Sequence, residues 1–536
     1  MDLPRLFDLS AEYVAKYIVQ GYYETLPREL PKKESNLVFD LVNNQRHNLS
    51  EEERNRVDET LKNMNNTSIM NFNCFTVFES DIALIRNKNI EELGLRIIQK
   101  NKIHFVETVA DPMQKTPVTD EAEKSFDIVA LLENNLTLES KRKLTKLDLS
   151  SRSNMGVIFE NGWVSSIAQL LPSLTSLKLA GQLIALDEFC AICTNFPHLV
   201  TLDIRETFFT SLEGISKLAH LNELTMGSTF LQNIDDIYNL SNLKYLYIRG
   251  MGRNDDLFDA LKSFINSEKS LFALEEFDCS NNGITNEDLK SIERRHPKLN
   301  RIIVTGTQLN NYTPEKTSTK IITDDTIASC LEALSYYQEI CDHNEIEKII
   351  EKIHRKVETP VEELTKEVQQ NLIRTFYQMI RKTEKVSKIT IIIELCCRQF
   401  SSREQLQLLD NGHKRVLIEC LLIIIELNQT SNPHHIVDFW MKINRILEET
   451  ENPQTDKIVS MALRFFLLVL DSDIKFVCLG PVAFLLDNID LESGYYGELD
   501  EARLIFELQS ASSKYSMFRN FVGNLENFFA TQRKQK

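Results

Sequence analysis

The sequence predicts an α/β leucine-rich-repeat solenoid followed by an all-α, armadillo/HEAT-like superhelix, with a short helical cap at the N-terminus. Three observations carry this. Seven stretches of the form L-x-x-L-x-L recur between residues 144 and 304. After Val304 that pattern stops, and from about residue 324 apolar residues run at helical spacing. Ahead of the ladder, Leu6, Leu9, Tyr13, Val14 and Tyr17 also recur at helical spacing.

The seven rungs are Leu144/Leu147/Leu149, Leu174/Leu177/Leu179, Leu199/Leu202/Ile204, Leu221/Leu224/Met226, Leu243/Leu246/Ile248, Leu274/Phe277/Cys279 and Leu299/Ile302/Val304. They start 22 to 31 residues apart, a bounded but irregular period of the kind that marks stacked repeats. One short strand with its return segment cannot bury its apolar face, so units stack and share a core. Two weaker rungs, Ile69/Phe72/Cys74 and Ile90/Leu93/Leu95, extend the ladder toward the N-terminus. Residues 107–125 carry two prolines and many polar residues and read as a surface insertion.

The chain therefore divides into a helical cap over 1–64, a solenoid over 65–310, a polar linker over 311–323 and a helical array over 324–536. Within the array, Pro360, Pro433 and Pro453 mark helix starts. Stretches such as Leu417–Leu427 are apolar on more than one face, as expected of helices covered on several sides.

Three residues after each third rung position stand Arg152, Gln182, Thr207, Thr229, Met251, Asn282 and Thr307. Six are polar, and side chains there are expected to satisfy backbone groups in the turn. The residues flanking each middle rung, among them Ser176, Lys178, Asp203, Glu223, Tyr245 and Tyr247, are expected on the concave face, which in solenoids commonly holds a protein partner.

Bulk properties narrow the function. The chain has 536 residues and a net charge of −17, which argues against a general nucleic-acid or anionic-membrane surface. Ten scattered cysteines and a start without a basic segment or long apolar run suggest reduced thiols in the cytosol or nucleus. Cys190-x-x-Cys193 lacks the second pair a metal site needs and the βαβ context a redox pair needs. It reads as two cysteines on a repeat's helix. His434–His435 and His413 have no completing ligands, so no metal or other cofactor is expected. No phosphate-cradling glycine loop, nucleophile elbow or H-E-x-x-H motif occurs, and Asp235–Asp236 and Asp255–Asp256 read as solvated turns. The expectation is a non-catalytic protein.

In the cap, Leu6-x-x-x-Ser10-x-x-x-Val14 has the spacing of an elongin-binding box, in which a leucine, a small residue and an apolar residue share one helical face. Downstream, Leu26-Pro27-Arg28-Glu29-Leu30 is similar to the start of a cullin-two box. Taken with the order of parts, and with Leu199–Met226 and Leu240–Ile248, the chain resembles the Zyg-eleven/Zer-one family of cullin-two RING ubiquitin ligase substrate receptors, as a diverged, C-terminally shortened member.

This resemblance implies that Leu6, Ser10 and Val14 contact elongin C, bound to elongin B. It implies that Leu26, Pro27 and Leu30 contact cullin-two, and that the solenoids hold a protein substrate. Two departures stand out. Ser10 replaces the family's preferred cysteine. The Trp-Asn-x-x-Asp-like motif of members that bind N-terminal glycine degrons surrounds neither Trp163 nor Trp440, so no degron-binding residue is assigned. The alternative is a ligase-independent adaptor or scaffold that keeps the solenoids.

Overall fold

A computed structural model describes residues 6–23, 26, 29–46, 49–72, 79–95, 125–151, 156–207, 210–227, 231, 233–250, 259–307, 309, 312, 314, 316–340, 343–358, 365–382, 406–407, 409–427 and 433–450, with 458, 462, 523, 526, 527 and 530. The chain forms two compact units, Met1–Ile322 and Thr323–Lys536.

The first unit is built on one ten-stranded parallel sheet in which strand order follows sequence order throughout. The strands are β1 (Ile69–Asn71), β2 (Glu92–Gly94), β3 (Lys146–Asp148), β4 (Ser176–Lys178), β5 (Thr201–Asp203), β6 (Glu223–Thr225), β7 (Tyr245–Tyr247), β8 (Glu276–Asp278), β9 (Arg301–Ile303) and β10 (Lys320–Ile322). Each middle rung residue pairs with the next without offset, as in Leu147 with Leu177, Leu177 with Leu202, and Leu202 with Leu224. From β1 to β9 every central residue is at most 2% exposed. A leucine-to-alanine change there removes apolar burial and leaves a cavity, at a cost of about 2–5 kcal/mol. The fold is a leucine-rich-repeat solenoid.

Return segments complete the repeats as helices, including α4 (Glu79–Ile85), α5 (Ile128–Asn135), α6 (Leu138–Lys143), α7 (Trp163–Leu170), α8 (Leu186–Asn195), α9 (Asp259–Asn266) and α10 (Asn286–Arg295). The shorter 22-residue repeats have room only for 3-10 turns at Ile215–Lys217 and Asp235–Asn239. The expected turn bonds form wherever the residue is described. Gln182 Nε2 donates to Leu149 O, Thr207 Oγ1 to Ile204 O, Asn282 Nδ2 to Ile248 O, and Thr307 Oγ1 to Val304 O. One position earlier, Gly181, Glu206, Asn281 and Gly306 all have φ between 57° and 71°. The turn needs a left-handed residue there, which two of these repeats supply as glycine. Arg152, Thr229 and Met251 lie outside the described residues.

Two boundaries differ from the sequence expectation. The first rung is Thr67/Met70/Phe72 rather than Ile69/Phe72/Cys74, because Met70 pairs with Leu93. Ile69 is 39% exposed, and Cys74 lies outside the described residues. The solenoid also runs past 310: β10 falls within the 311–323 stretch expected as linker and pairs with β9. At the outer leucine positions of that last repeat stand Ser318 and Thr323, which erase the sequence signal. Ser318 is exposed and Thr323 half-buried, so neither position demands a leucine.

The cap is three helices, α1 (Leu6–Val19), α2 (Lys32–Arg46) and α3 (Glu51–Lys62). Ala11, Ala15, Ile18, Val38, Phe39, Val42, Val57 and Leu61 join the solenoid's own core. A buried ion cluster ties α2, α3 and α4 together. Arg46 Nε donates to Asp58 Oδ1 at 2.7 Å, and Arg46 Nη1 donates to Asp81. Lys88 closes the end of α3, donating to Lys62 O at 3.1 Å and Met64 O at 2.8 Å. Burial pushes its ammonium down to about 8.

The second unit is helical wherever it is described. Its helices are α11 (Ile327–Glu339), α12 (His343–Glu358), α13 (Lys366–Lys382), α14 (Asn411–Leu427) and α15 (Pro433–Glu448). Of these, α11 packs on α12 and α13, α13 on α14, and α14 on α15. Such contact between helices close in sequence suits a stacked helical array. As expected, α14 is buried on several faces, through Val416, Leu417, Ile418, Cys420, Leu421, Leu422, Ile424 and Ile425. The array segments expected beyond residue 450 fall largely outside the described residues.

Candidate functional site

Two surfaces come into question, the cap helices and the open face of the sheet. In the cap, Leu6, Ser10 and Val14 all stand on the single helix α1, as the box spacing requires. Among the residues of that helix whose side chains are described, Ala11, Ala15 and Ile18 are buried. At about 100° per residue, that set lies roughly a quarter-turn away from the box set. Val14, on the boundary between them, is half-buried and packs against the solenoid core.

The second segment is also engaged internally. Leu26 and Leu30 are half-buried against the same core. They line a cavity of about 230 Å³ with Ser35 and Met64. Pro27 lies outside the described residues. Thus Val14, Leu26 and Leu30 already contribute to the cap's own packing.

The sheet's open face carries two columns of side chains. One reads Thr201, Glu223, Tyr245, Glu276 and Arg301 across β5 to β9, and the other Asp203, Thr225, Tyr247, Asp278 and Ile303. Period-two alternation dictates this, since the leucine between each pair points into the core. Most charges on the face are matched. Arg205 Nη2 lies 2.9 Å from Asp203 Oδ2, Arg249 Nε 2.5 Å from Asp278 Oδ2, and Arg301 Nη1 2.9 Å from Glu276 Oε2. The other oxygen of Glu276 accepts from the Tyr247 hydroxyl at 3.2 Å. Burial, and then the Glu276 charge, raise that hydroxyl's pKa well above its ordinary value.

Glu223 differs from its neighbours. It is half-buried, and burial raises its carboxyl pKa, with Lys178 and Arg205 opposing and Asp203 and Glu276 adding to the rise. Among the described residues its carboxylate makes no hydrogen bond or ion pair. Sequence inspection placed Glu223 on this face but could not single it out, because the matching arginines stand 2 to 29 residues from their carboxylates.

The remaining candidates behave as core or turn residues. Cys193 is buried, which pushes its thiol up to about 12. Cys190 is half-buried, with Sγ 3.5 Å from Glu213 O. Asp235 is the first residue of a 3-10 turn and pairs with Lys269 at 3.0 Å; Asp255 and Asp256 lie outside the described residues. His413 Nδ1 lies 2.8 Å from Asp410 Oδ1 at the start of α14. His434 and His435 are adjacent on α15. Among the described residues, no three histidine, cysteine or acidic side chains converge as a metal site would require. None of the described helices is long and apolar enough to cross a membrane.

The chain is similar to Gastrulation-defective protein 3 of Caenorhabditis elegans, 24% identical over 349 residues. That match covers 64% of this chain and 46% of the relative, so the chain spans less than half the length of the curated relative it matches. No family model matches. Among solved structures, an internalin C2 of Listeria monocytogenes is 22% identical with a TM-score of 0.24, covering 35% of this chain and 72% of its own. An internalin, inlF, of the same bacterium is 13% identical with a TM-score of 0.29, covering 58% and 94%.

Proposed function

We propose that this protein is a non-catalytic substrate receptor of the Zyg-eleven/Zer-one type, bridging a cullin-two, elongin B/C RING ubiquitin ligase to a protein target. What supports the reading best is the order of parts. An elongin-box spacing lies on one cap helix, a long open strand face follows, and a helical array comes last. The receptor acts by proximity: it raises the effective concentration of target lysines near the charged conjugating enzyme. It works in the cytosol or nucleus, and binds neither nucleic acid nor membrane.

Capture with purified elongin B/C and cullin-two tests this. The wild-type chain is expected to be retained, and Leu6→Asp to be lost, since a charge would be forced into an apolar contact. A folded wild-type chain that elongin B/C does not retain would overturn the reading.

One observation favours a second reading, a ligase-independent adaptor. Val14, Leu26 and Leu30 are already packed on the chain's own core. On that reading the cap serves only to close the solenoid, and stable partners contain no cullin.

A further inference from the structure

We propose that Glu223 and Tyr245 form a cradle for a single basic side chain, a lysine or arginine presented by a protein partner. The proposal rests on the reading that the strand face holds the target, and it names the chemistry of that contact.

Glu223 and Tyr245 stand directly opposite each other on β6 and β7. Adjacent strands lie about 4.8 Å apart, so a carboxylate and an aromatic ring are side by side. Both side chains are half-buried and reachable from solvent. Around them the charges are already matched: Asp203, Glu276 and Asp278 each hold an arginine. Glu223 and Tyr245 are the exception, for among the described residues neither side chain makes a hydrogen bond or ion pair. Lys178, from two strands away, and Arg205, which is paired with Asp203, act on Glu223 only through space.

An unmatched carboxylate in a half-buried place carries a cost that a cation removes. A ring face beside it attracts the same cation when the charge comes within about 6 Å of its centroid. An acidic or purely apolar occupant would leave Glu223 uncompensated, whereas a lysine ammonium or arginine guanidinium satisfies carboxylate and ring together. The surrounding arginines, each engaged by a carboxylate, leave this position as the place on the face for an incoming positive charge.

Random-peptide display on the full-length chain, repeated on Glu223→Gln, tests the proposal. Peptides enriched on the wild type and lost on the variant are expected to share a lysine or arginine at one position. Their affinity is expected to fall about tenfold or more with Glu223→Gln, and by a similar factor when that lysine is acetylated. Tyr245→Leu is expected to weaken binding several-fold, while Tyr245→Phe, which keeps the ring, retains it. Glu287→Gln, an exposed carboxylate on α10, is expected to change nothing.

Glu223→Gln preserves size and removes a half-buried charge, so an unfolding midpoint no lower than that of wild type verifies the fold. Glu223-dependent peptides without a basic residue, or peptides insensitive to both Glu223→Gln and acetylation, would overturn the cradle. Elongin capture on the same preparation keeps the two ideas apart. Its failure with the cradle intact sinks the ligase reading alone.

Discussion

The side-chain oxygen of Asn36 accepts the backbone N–H of Ser68 at 2.7 Å and that of Ile69 at 3.1 Å. Two turns further along α2, Asn43 Nδ2 donates to Asn71 O at 2.8 Å. Two asparagines of the cap thus engage β1, the strand at the outer edge of the sheet. An uncovered edge offers unpaired backbone groups to any other strand. The double change Asn36→Ala and Asn43→Ala is expected to cost about 1–3 kcal/mol for each group left unsatisfied. It is also expected to promote self-association through β1. Urea unfolding and sedimentation velocity read the two effects, and a stable, monomeric double variant would show that the asparagines do not guard the edge.

Arg46 holds Asp58 and Asp81 inside the cap, and all three side chains are buried. Taking away the cation leaves two carboxylates in a low-dielectric place. Arg46→Met is expected to cost about 3–5 kcal/mol. Arg46→Lys is expected to recover little, because one ammonium cannot reproduce the fork that reaches both acids. Hydrogen exchange in α2 and α3 localises the loss. Protection equal to wild type in Arg46→Met would refute it.

His296 is buried, stacks on Phe264 with ring centroids 5.1 Å apart, and accepts the Leu271 N–H on Nδ1 at 3.1 Å. Burial, and then the Arg295 charge, push its pKa from 6.5 down to about 4. Between those values the unfolded chain binds a proton that the folded chain refuses. Stability is therefore expected to fall as pH drops from about 6.5 toward 4, by on the order of 3 kcal/mol in all. Above about 6.5 this residue contributes no slope. The check is the pH dependence of the unfolding midpoint in wild type against His296→Gln, which should be the flatter; equal slopes would exclude the histidine.

Glu206 takes φ 57° at the turn position that Gly181 and Gly306 occupy in other repeats. A left-handed conformation costs a side-chain-bearing residue about 1–2 kcal/mol relative to its preferred state. Glu206→Gly is expected to raise stability by up to about 1 kcal/mol, glycine's greater freedom in the unfolded chain offsetting the rest. A lower melting temperature in the variant would mean that contacts of the Glu206 side chain outweigh the strain.

The ladder was legible in the sequence because burial leaves few choices at a rung's three positions. Leu144 to Val304 could be assigned residue by residue. It blurred where that constraint relaxes. At β1, Ile69-x-x-Phe72-x-Cys74 and Thr67-x-x-Met70-x-Phe72 fit the pattern about equally, and pairing with β2 decides between them. At β10, the hydroxyl residues Ser318 and Thr323 of a terminal repeat removed the signal altogether. The cap's box spacing was visible as a helix, but nothing in it revealed that Val14 and Leu30 pack on the core that cap and solenoid share. The strand-face charges could be listed in advance, though which acids would find a cation depends on partners in neighbouring turns.

The unshifted pairing of all ten strands makes the open face a ruler with graduations about 4.8 Å apart. An extended peptide laid along it repeats its side chains every 6.6–6.8 Å on one edge, so the two scales drift out of phase within a few strands. Such a face cannot read a long linear motif position by position, as a cleft built to match a peptide's own pitch can. It is suited to gripping a folded partner, or to fixing one residue firmly and leaving its neighbours loosely held. Were the face to hold protein partners as proposed, a spread of otherwise unrelated sequences is what that geometry would tolerate.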